Sequence, residues 1–579
     1  MTRSDLSSSL TILPSAFASQ IGVAWKQLGG QQLVTRLWEK DTTLWTSRPD
    51  EASSIRNRLG WLSILPVMES AADDIVKFAE QVKQDGFTHA VLLGMGGSSL
   101  FPEVCRSIIG VQPGWLDLTV VDTTDPTAID QIRRRLPLER TVVVVSSKSG
   151  TTTESDALSR YFFDELHRVR GEAAGKQMVA ITDVGTPLEL RARQQGFRRV
   201  FVHGPRTGQE VGGRFSALTY FGLVPAALMG IDIHRLLSRA REMFEACRSD
   251  RPLSEHPAVS LGVALGEGAG LGRDKMTLLR PPALSSLGIW IEQLIAESTG
   301  KSGKGLIPIT DEPLRPATAY GADRFFIDIQ ISTEVDRGLD ETIRALAEAG
   351  HPVAQLRWRD AYDLGGEIVR WFVATAIAAS VMRINPFDEP NVQESKDRTK
   401  ALLEHYARER QLPSDPPLVS DGDMAAFGDR GRFSGRSLKD VLCGLFQQTK
   451  REEALAIVSF LPRLASLDAQ LITLRQRLAQ DLGVATILSH GPRYLHSIGQ
   501  LYKGGSDRIV LLCLTADDPV DLPVADQPYT FGILKRAQVL GDVQAMRDRG
   551  RRVLRIHLGA NPERALERLI RLIDEGCAR

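Results

Sequence analysis

Apolar positions in the amino-terminal two thirds of the chain fall into short runs rich in β-branched residues, separated by longer stretches of mixed polarity. The spacing predicts a helix over residues 73–84 and strands over residues 89–94, 119–122, 141–146, 178–182 and 199–203, with helical stretches between them. Short strands alternating with helices predict an α/β fold built on a doubly wound parallel sheet, whose ligands sit beyond the carboxyl ends of the strands. Residues up to about Arg58 read as amphipathic helix in patches, with Trp25, Trp38 and Trp45 packing on neighbours. The most apolar run, residues 371–382, is bounded by Arg370 and Arg383 and falls short of the roughly 20 residues that cross a bilayer, so it is expected as a buried helix.

Length changes this picture first. At 579 residues the chain exceeds one hydrophobic core. The pattern divides it into a helical segment (residues 1–60), a first α/β domain (61–205), connecting helices with a second domain (206–410), a linker (411–436) and a third α/β unit (437–579). The 71 basic and 71 acidic residues cancel, so no polyanion or membrane surface is expected as a partner, while a small charged substrate stays open. The cysteines (Cys105, Cys247, Cys443, Cys513, Cys577) are odd in number and lack paired short spacing, which argues against a disulfide framework or zinc site and fits a reducing cytoplasm. The first ten residues lack the apolar centre of a secretory signal.

The chemistry concentrates in Val142-Val-Val-Val-Ser-Ser-Lys-Ser-Gly-Thr-Thr-Thr-Glu-Ser155. Four valines make a strand covered on both faces, and the switch to small hydroxyl residues makes a loop that opens a helix. Thr151 and Glu154 have capping-box spacing. One hydroxyl suffices to cap a helix; six of them beside Lys148 suit a bound phosphate better. Two strands earlier lies Gly94-Met-Gly-Gly-Ser-Ser-Leu100, a turn that lets a ligand approach the backbone but lacks the last glycine of a dinucleotide fingerprint. Both loops lie at strand carboxyl ends and can close on one phosphate.

With these loops in place, the sequence resembles the sugar isomerase (SIS) fold and, within it, the glucose-6-phosphate isomerases. Val211-Gly-Gly-Arg-Phe-Ser-Ala217 looks like one family signature, Glu297-Ser-Thr-Gly-Lys301 like the segment with the catalytic base, and Asn385-Pro-Phe-Asp-Glu-Pro-Asn-Val-Gln-Glu-Ser-Lys396 like the other signature. The resemblance spans roughly residues 73–406 and is most similar to the isomerase portion of fused transaldolase–isomerase enzymes, without the transaldolase barrel. It implies that Gly97, Ser98, Ser147, Lys148, Ser149 and Thr152 surround the substrate phosphate. It further implies Arg214 near the reacting carbons, Glu297 as proton shuttle and Lys396 beside the ring oxygen. The family usually carries Gln where this chain has Glu389, here assigned to substrate binding, and Glu where it has Gln393.

Elementary chemistry gives these roles their own support. Aldose–ketose isomerisation moves a proton between adjacent carbons, so it needs one base that takes and returns it, and no metal or cofactor is required. Glu297 lies near the carboxyl end of an apolar helix (Leu287, Ile291, Leu294, Ile295), where the negative helix end raises its pKa; without the motif it would read as an exposed helix-end glutamate. Arg214 follows two glycines and offers a permanent charge for an enediolate, against the plainer alternative of a structural ion pair. Asn391 and Glu394 have capping-box spacing, placing Lys396 in the second turn of a helix, where a solvated lysine is the alternative.

Beyond Tyr406, residues 412–435 are rich in Pro, Gly and Asp and read as a linker or long surface loop. The third unit then repeats landmarks of the second: Leu464-Ala-Ser-Leu467 echoes Leu284-Ser-Ser-Leu287, Gly505-Ser-Asp-Arg508 echoes Gly321-Ala-Asp-Arg324, and Gly550 echoes Gly350. The copies differ in chemistry. The second holds Glu297 and no histidine between Lys301 and Gly321; the third has Gln480 near the Glu297 position and carries Tyr494-Leu-His-Ser-Ile-Gly-Gln500. In the family a histidine in a His-Ser-x-x-Gln context assists ring opening, so His496 is expected to supply that step unless the repeat is purely structural. The remaining histidines lack metal-ligand spacing.

Two function classes follow. The first is a cytoplasmic isomerase of glucose 6-phosphate and fructose 6-phosphate, needing no metal or cofactor and serving glycolysis and gluconeogenesis, with a variant that also accepts mannose 6-phosphate. The second is a sugar-phosphate-binding regulatory protein without turnover. The only expected ligand is a sugar phosphate, with no nucleic acid and no membrane, and the assembly is expected to be a homodimer, or a monomer if the third unit replaces the neighbouring subunit.

Overall fold

The computed structural model describes residues 9–204, 210–248 and 252–576. Residues 1–8, read above for an export signal, and Cys577 lie outside them. Three sheets form, one per α/β unit. The first is wholly parallel, in the order Asp117–Val121, His89–Leu93, Thr141–Ser146, Met178–Asp183, Arg199–His203. Its central strand shows why four valines are needed. Val142 and Val144 face a core shared with helices Ile64–Gln84 and Leu100–Ile108, while Val143 and Val145 face a second core built on helix Thr153–Arg170. The strand is thus apolar on both faces, as a covered parallel sheet demands.

The middle sheet runs Leu10–Leu13, Val353–Trp358, Arg324–Ile331, Lys275–Leu279, Ile307–Ile309 and is parallel except for the antiparallel first strand. That strand departs from the all-helical expectation for the amino-terminal segment, where helices Ser15–Gln27, Gln31–Trp38 and Pro49–Asn57 do form. Leu-Thr-Ile-Leu has no helical or strand period of its own, and the open edge at Val353–Trp358 decides it. Trp38 packs edge-on against Phe244, and Trp45 donates its indole N–H to the Ala376 carbonyl (2.9 Å). Helix Leu364–Met382, which contains the most apolar run, is buried, as expected from its length.

The third sheet runs Val419–Asp421, Met424–Phe427, Arg552–His557, Ile509–Thr515, Ala454–Ser459, Ala485–His490. Its first two strands come from the stretch expected as a linker; this hairpin closes the sheet edge that Arg552–His557 would otherwise leave open. Strand for strand the order repeats that of the middle sheet, including an antiparallel strand beside the edge at Val353–Trp358 and at Arg552–His557. The residues Leu455 and Ile457 face the third unit's own helices, whereas Ala454, Ala456 and Val458 share a core with Ala296, Ile307 and Ile309 of the middle unit. Cys105, Cys247 and Cys513 are buried free thiols, but Cys443 is disulfide-bonded, contrary to the expectation of no disulfide.

Buried charge holds the copies together. Arg475 of the third unit donates to the carbonyls of Thr310 (2.8 Å) and Asp311 (2.9 Å), and Glu312 accepts from both Arg324 (2.8 Å) and the Thr486 amide (2.9 Å). The third unit also clasps the first sheet, through Arg493 on Asp122 (2.6 and 2.9 Å) and Lys535 on Asp125 (2.8 Å).

Candidate active site

Strands His89–Leu93 and Thr141–Ser146 are direct neighbours, so the loops that leave their carboxyl ends lie side by side. Ser146 donates its hydroxyl to the Ser98 carbonyl (2.9 Å), tying the glycine turn to the hydroxyl loop. Close approach is structural here: a Cβ on Gly97 would stand 1.9 Å from the Gly213 carbonyl oxygen, so the turn packs on the segment that carries Arg214. Ser147 donates to the Thr152 hydroxyl (3.1 Å), and the Ser149 hydroxyl accepts from the Thr151 amide (3.3 Å) and hydroxyl (3.0 Å). Lys148 differs from the rest of the loop. Its ammonium is held by Asp183 (2.7 Å) and Glu210 (2.7 Å), so the positive charge anticipated for an anion is already compensated.

The expected capping box of Thr151 and Glu154 is absent. Thr152 is the N-cap and makes no side-chain cap bond, while Glu154 turns inward and is buried. It accepts from His496 Nε2 (2.8 Å) and from Gln538 Nε2 (2.6 Å), both in the third unit. Burial by itself would raise the Glu154 carboxyl, but His496 and, further off, Lys396 hold it below the ordinary carboxylate range. Lys396 and His496 line one small cavity with Glu154, Ser395 and Gln538, of about 30 Å³. The capping box at Asn391 is likewise absent: helix Pro390–Glu409 has Glu389 at its N-cap without a side-chain bond, and the Gln500 side chain accepts from the Asn391 amide (3.0 Å). Glu394 is drawn instead to Arg549 (2.8 Å). In both places a carboxylate with a partner from the third unit outcompetes the local cap.

Glu297 sits in the last turn of helix Leu287–Thr299, buried and facing inward. Arg214 lies 3.5 Å from Glu297 Oε1 and 3.0 Å from Glu389 Oε2, so one guanidinium spans two carboxylates. It is locked by further donation to the Ser298 hydroxyl (2.8 Å) and to the carbonyls of Pro386 (2.5 Å) and Asp388 (2.9 Å). Burial raises the Glu297 carboxyl above its ordinary range against the pull of Arg214, and the charge on Glu389 adds to the rise. Desolvation thus has the part assigned above to the helix end. Glu389 goes the other way: burial is outweighed by Arg214 and by Arg58 (2.7 Å), and its carboxyl is pulled down to about 2. Lys301, bound to Asp388 (2.8 Å) and the Asn385 carbonyl (2.6 Å), is lowered to about 8 by burial and by Arg214.

One side chain joins the two halves. Gln293, one helical turn before Glu297, donates its amide to Glu297 Oε2 (3.1 Å) and to the His496 carbonyl (2.9 Å). The glycine turn abuts the same histidine: Gly96 has φ +54°, and a Cβ there would stand 2.6 Å from the His496 carbonyl oxygen. The glycine turn, Arg214, Glu297, Glu389, His496 and Lys396 therefore converge within one chain, and Ser147, Ser149 and Thr152 open the helix that carries Glu154. A carboxylate poised to exchange a proton, an adjacent fixed guanidinium, a histidine–carboxylate pair and a hydroxyl-lined loop can together move protons on a small phosphorylated, hydroxyl-rich molecule. Gln293, Arg58 and Gln538 carry no role in the sequence pattern, and Glu154 reads there only as a helix cap. For Gln293 the four-residue spacing to Glu297 was a usable signal; Glu154 and Gln538 meet partners hundreds of residues away, which no spacing encodes.

A family model described as phosphoglucose isomerase matches residues 64–305. Among curated relatives, the glucose-6-phosphate isomerase of Synechococcus sp. (strain JA-3-3Ab) is 32% identical over 361 residues, 55% of this chain and 66% of the relative, so the matched region spans a little under two thirds of it. That of Synechococcus sp. (strain JA-2-3B'a(2-13)) is 30% identical over 62% of this chain and 77% of the relative, and that of Rubrobacter xylanophilus 30% identical over 58% and 88%. A hypothetical protein from Thermus thermophilus, of known crystal structure, superposes with a TM-score of 0.56 at 25% identity over 68% of this chain and 99% of its own. A glucose-6-phosphate isomerase from Chlamydia trachomatis shares the fold, with a TM-score of 0.51 at 19% identity over 65% of this chain and 78% of its own.

Proposed function

Because the chain belongs to the glucose-6-phosphate isomerase family of aldose–ketose isomerases, we propose that it interconverts glucose 6-phosphate and fructose 6-phosphate with residues drawn from all three of its α/β units. In this reading the backbone of Gly97 and Ser98 and the hydroxyls of Ser147, Ser149 and Thr152 take the phosphate. Lys148 contributes its backbone amide rather than its engaged ammonium. His496, oriented by Glu154, and Lys396 open the sugar ring: a proton leaves the anomeric hydroxyl and one is delivered to the ring oxygen as the carbon–oxygen bond breaks. Glu297 then takes the C2 proton, the cis-enediolate charge is stabilised by Arg214, and the proton returns to C1 while a hydroxyl proton passes from O2 to O1. Glu389 contacts substrate and holds Arg214.

The observation that carries this reading is the Gln293 amide, which touches the carboxylate of the base and the backbone of the ring-opening histidine at once. It supports a site completed by the third unit of the same chain, hence a protein that needs no neighbouring subunit for its histidine. Glycolysis and gluconeogenesis are the setting such a reaction implies. The buried thiols favour the cytoplasm as its compartment, and the Cys443 disulfide is the feature that pulls against it. A coupled assay on purified protein tests the proposal: turnover of glucose 6-phosphate and fructose 6-phosphate in both directions is expected, and a parallel run with mannose 6-phosphate defines the C2 preference. Binding of these sugars without turnover would overturn it in favour of the regulatory reading.

A further inference from the structure

The third sheet keeps an open crevice at the carboxyl ends of its strands. In the middle sheet a cavity of about 30 Å³ lies at the carboxyl end of Val353–Trp358. Every arginine lining it is paired: Arg357 with Asp328 (2.5 Å), Arg239 with Asp360 (3.1 Å), Arg359 with Asp363 (2.5 Å) and Arg370 with Glu367 (3.1 Å). At the same ends of Arg552–His557 and Ile509–Thr515 lies a cavity of about 510 Å³, within the range of small-molecule sites. Parallel α/β sheets bind ligands at this end.

Four aspartates, Lys535, Arg536 and Arg555 line the large cavity. Its carboxylates are engaged: Asp415 by Arg547 (2.8 Å), Asp518 by Lys535, Asp517 by His557 (3.3 Å), and Asp521 by the amides of Leu522 (2.8 Å) and Gly532 (2.8 Å) and the Thr530 hydroxyl (2.5 Å). Two guanidiniums are left over. Arg555 lies over the Phe427 ring, 3.8 Å from its centroid, and Arg536 is exposed on helix Phe531–Asp548. Among the described residues neither has an ion-pair or hydrogen-bond partner for its side chain, and both line the cavity beside Phe460 and Val539. Unpaired guanidiniums facing a cavity with aromatic and aliphatic walls match a phosphate carried on a small organic body.

We propose that this cavity is a second ligand site, which takes a small phosphate monoester with its phosphate on Arg555 and Arg536 and its carbon portion against Phe427, Phe460 and Val539. The site is separate from the loop at Ser147, and the helix that lines it, Phe531–Asp548, also carries Gln538, the partner of Glu154. Occupancy is therefore placed to steady the histidine–carboxylate pair. The test is calorimetric titration of the full chain with inorganic phosphate and with glycerol 3-phosphate. Arg555→Met is expected to weaken one binding event by roughly tenfold or more, the loss of a charge-assisted contact, while a Ser147→Ala, Thr152→Ala double variant retains it. Arg536→Met, at an exposed position that tolerates replacement, should weaken the same event should the Arg555 variant fail to fold. Binding that is insensitive to both arginine substitutions, or that disappears altogether in the Ser147, Thr152 variant, overturns the proposal.

Discussion

The middle and third units share a strand order and differ in what they bring to the site. The middle copy carries Glu297 on the helix between its first two parallel strands, and its connection from Ile307–Ile309 to Arg324–Ile331 holds no histidine. The third copy has Gln480 in the matching helix, and its connection from Ala485–His490 to Ile509–Thr515 carries His496. In the proposed mechanism each copy supplies one half of the acid–base apparatus. Two identical copies facing each other would each present the same edge, and that self-complementary contact is how a two-fold dimer is made. In the proposed mechanism the two halves lie in one chain, so the helix of the third copy needs no carboxylate and the connection of the middle copy no histidine.

Substitutions on the two sides should therefore have separate signatures. The largest effect is expected on the middle side: Glu297→Gln keeps the Gln293 contact but cannot take a proton, so turnover should fall by roughly 10⁴-fold, the upper end for a general base, with inhibitor binding retained. Steady-state kinetics with a competitive sugar-phosphate inhibitor checks it. On the third side, His496→Ala should slow turnover of cyclic glucose 6-phosphate by about 10²-fold. Proton exchange on the already open sugar, followed by NMR in deuterated water, should be nearly spared. Equal losses on both forms would contradict a role in ring opening.

Much of this contrast could be read in the sequence, and the remainder shows where pattern stops. The first sheet was legible because valines at every position of residues 142–145 can only be a strand covered on both faces. The repeat was legible from its Gly-x-Asp-Arg and Leu-x-Ser-Leu landmarks, which occupy equivalent turns in the two sheets. Glu154 was misread because its spacing from Thr151 satisfies a local rule, while the bond it makes is to His496, 342 residues later. Leu10–Leu13 and the hairpin at Val419–Asp421 and Met424–Phe427 were missed for a related reason: an edge strand is specified by the edge it closes rather than by its own residues.

Smaller effects sharpen the comparison at its rim. Ser147→Ala with Thr152→Ala removes two hydroxyls from the first sheet's loop and should weaken substrate binding by roughly tenfold or more, at about a kcal/mol for each bond, with less change in kcat. Phosphorylated and unphosphorylated sugars losing activity equally would show that the loop does not hold phosphate. The Glu389→Gln change is subtler. Glu389 is ionised throughout the working range, since its carboxyl is held at about 2, and its charge helps raise Glu297. The base works only when deprotonated, so activity falls as pH drops through the raised Glu297 value. Removing the Glu389 charge, and leaving Arg214 to Glu297 alone, should shift this acid limb to lower pH; a shift to higher pH or none would contradict the assignment.

Whether the two copies serve one site in one chain is tested most directly by complementation. Glu297→Gln and His496→Ala chains are produced together under conditions that permit subunit exchange, and the mixture is assayed on glucose 6-phosphate. A histidine supplied within the chain predicts no activity above the sum of the separate variants, because each chain lacks one half of its own site. A histidine supplied by a neighbouring subunit predicts that mixed dimers regain one intact site, restoring about a quarter of wild-type activity, and that result would contradict the account.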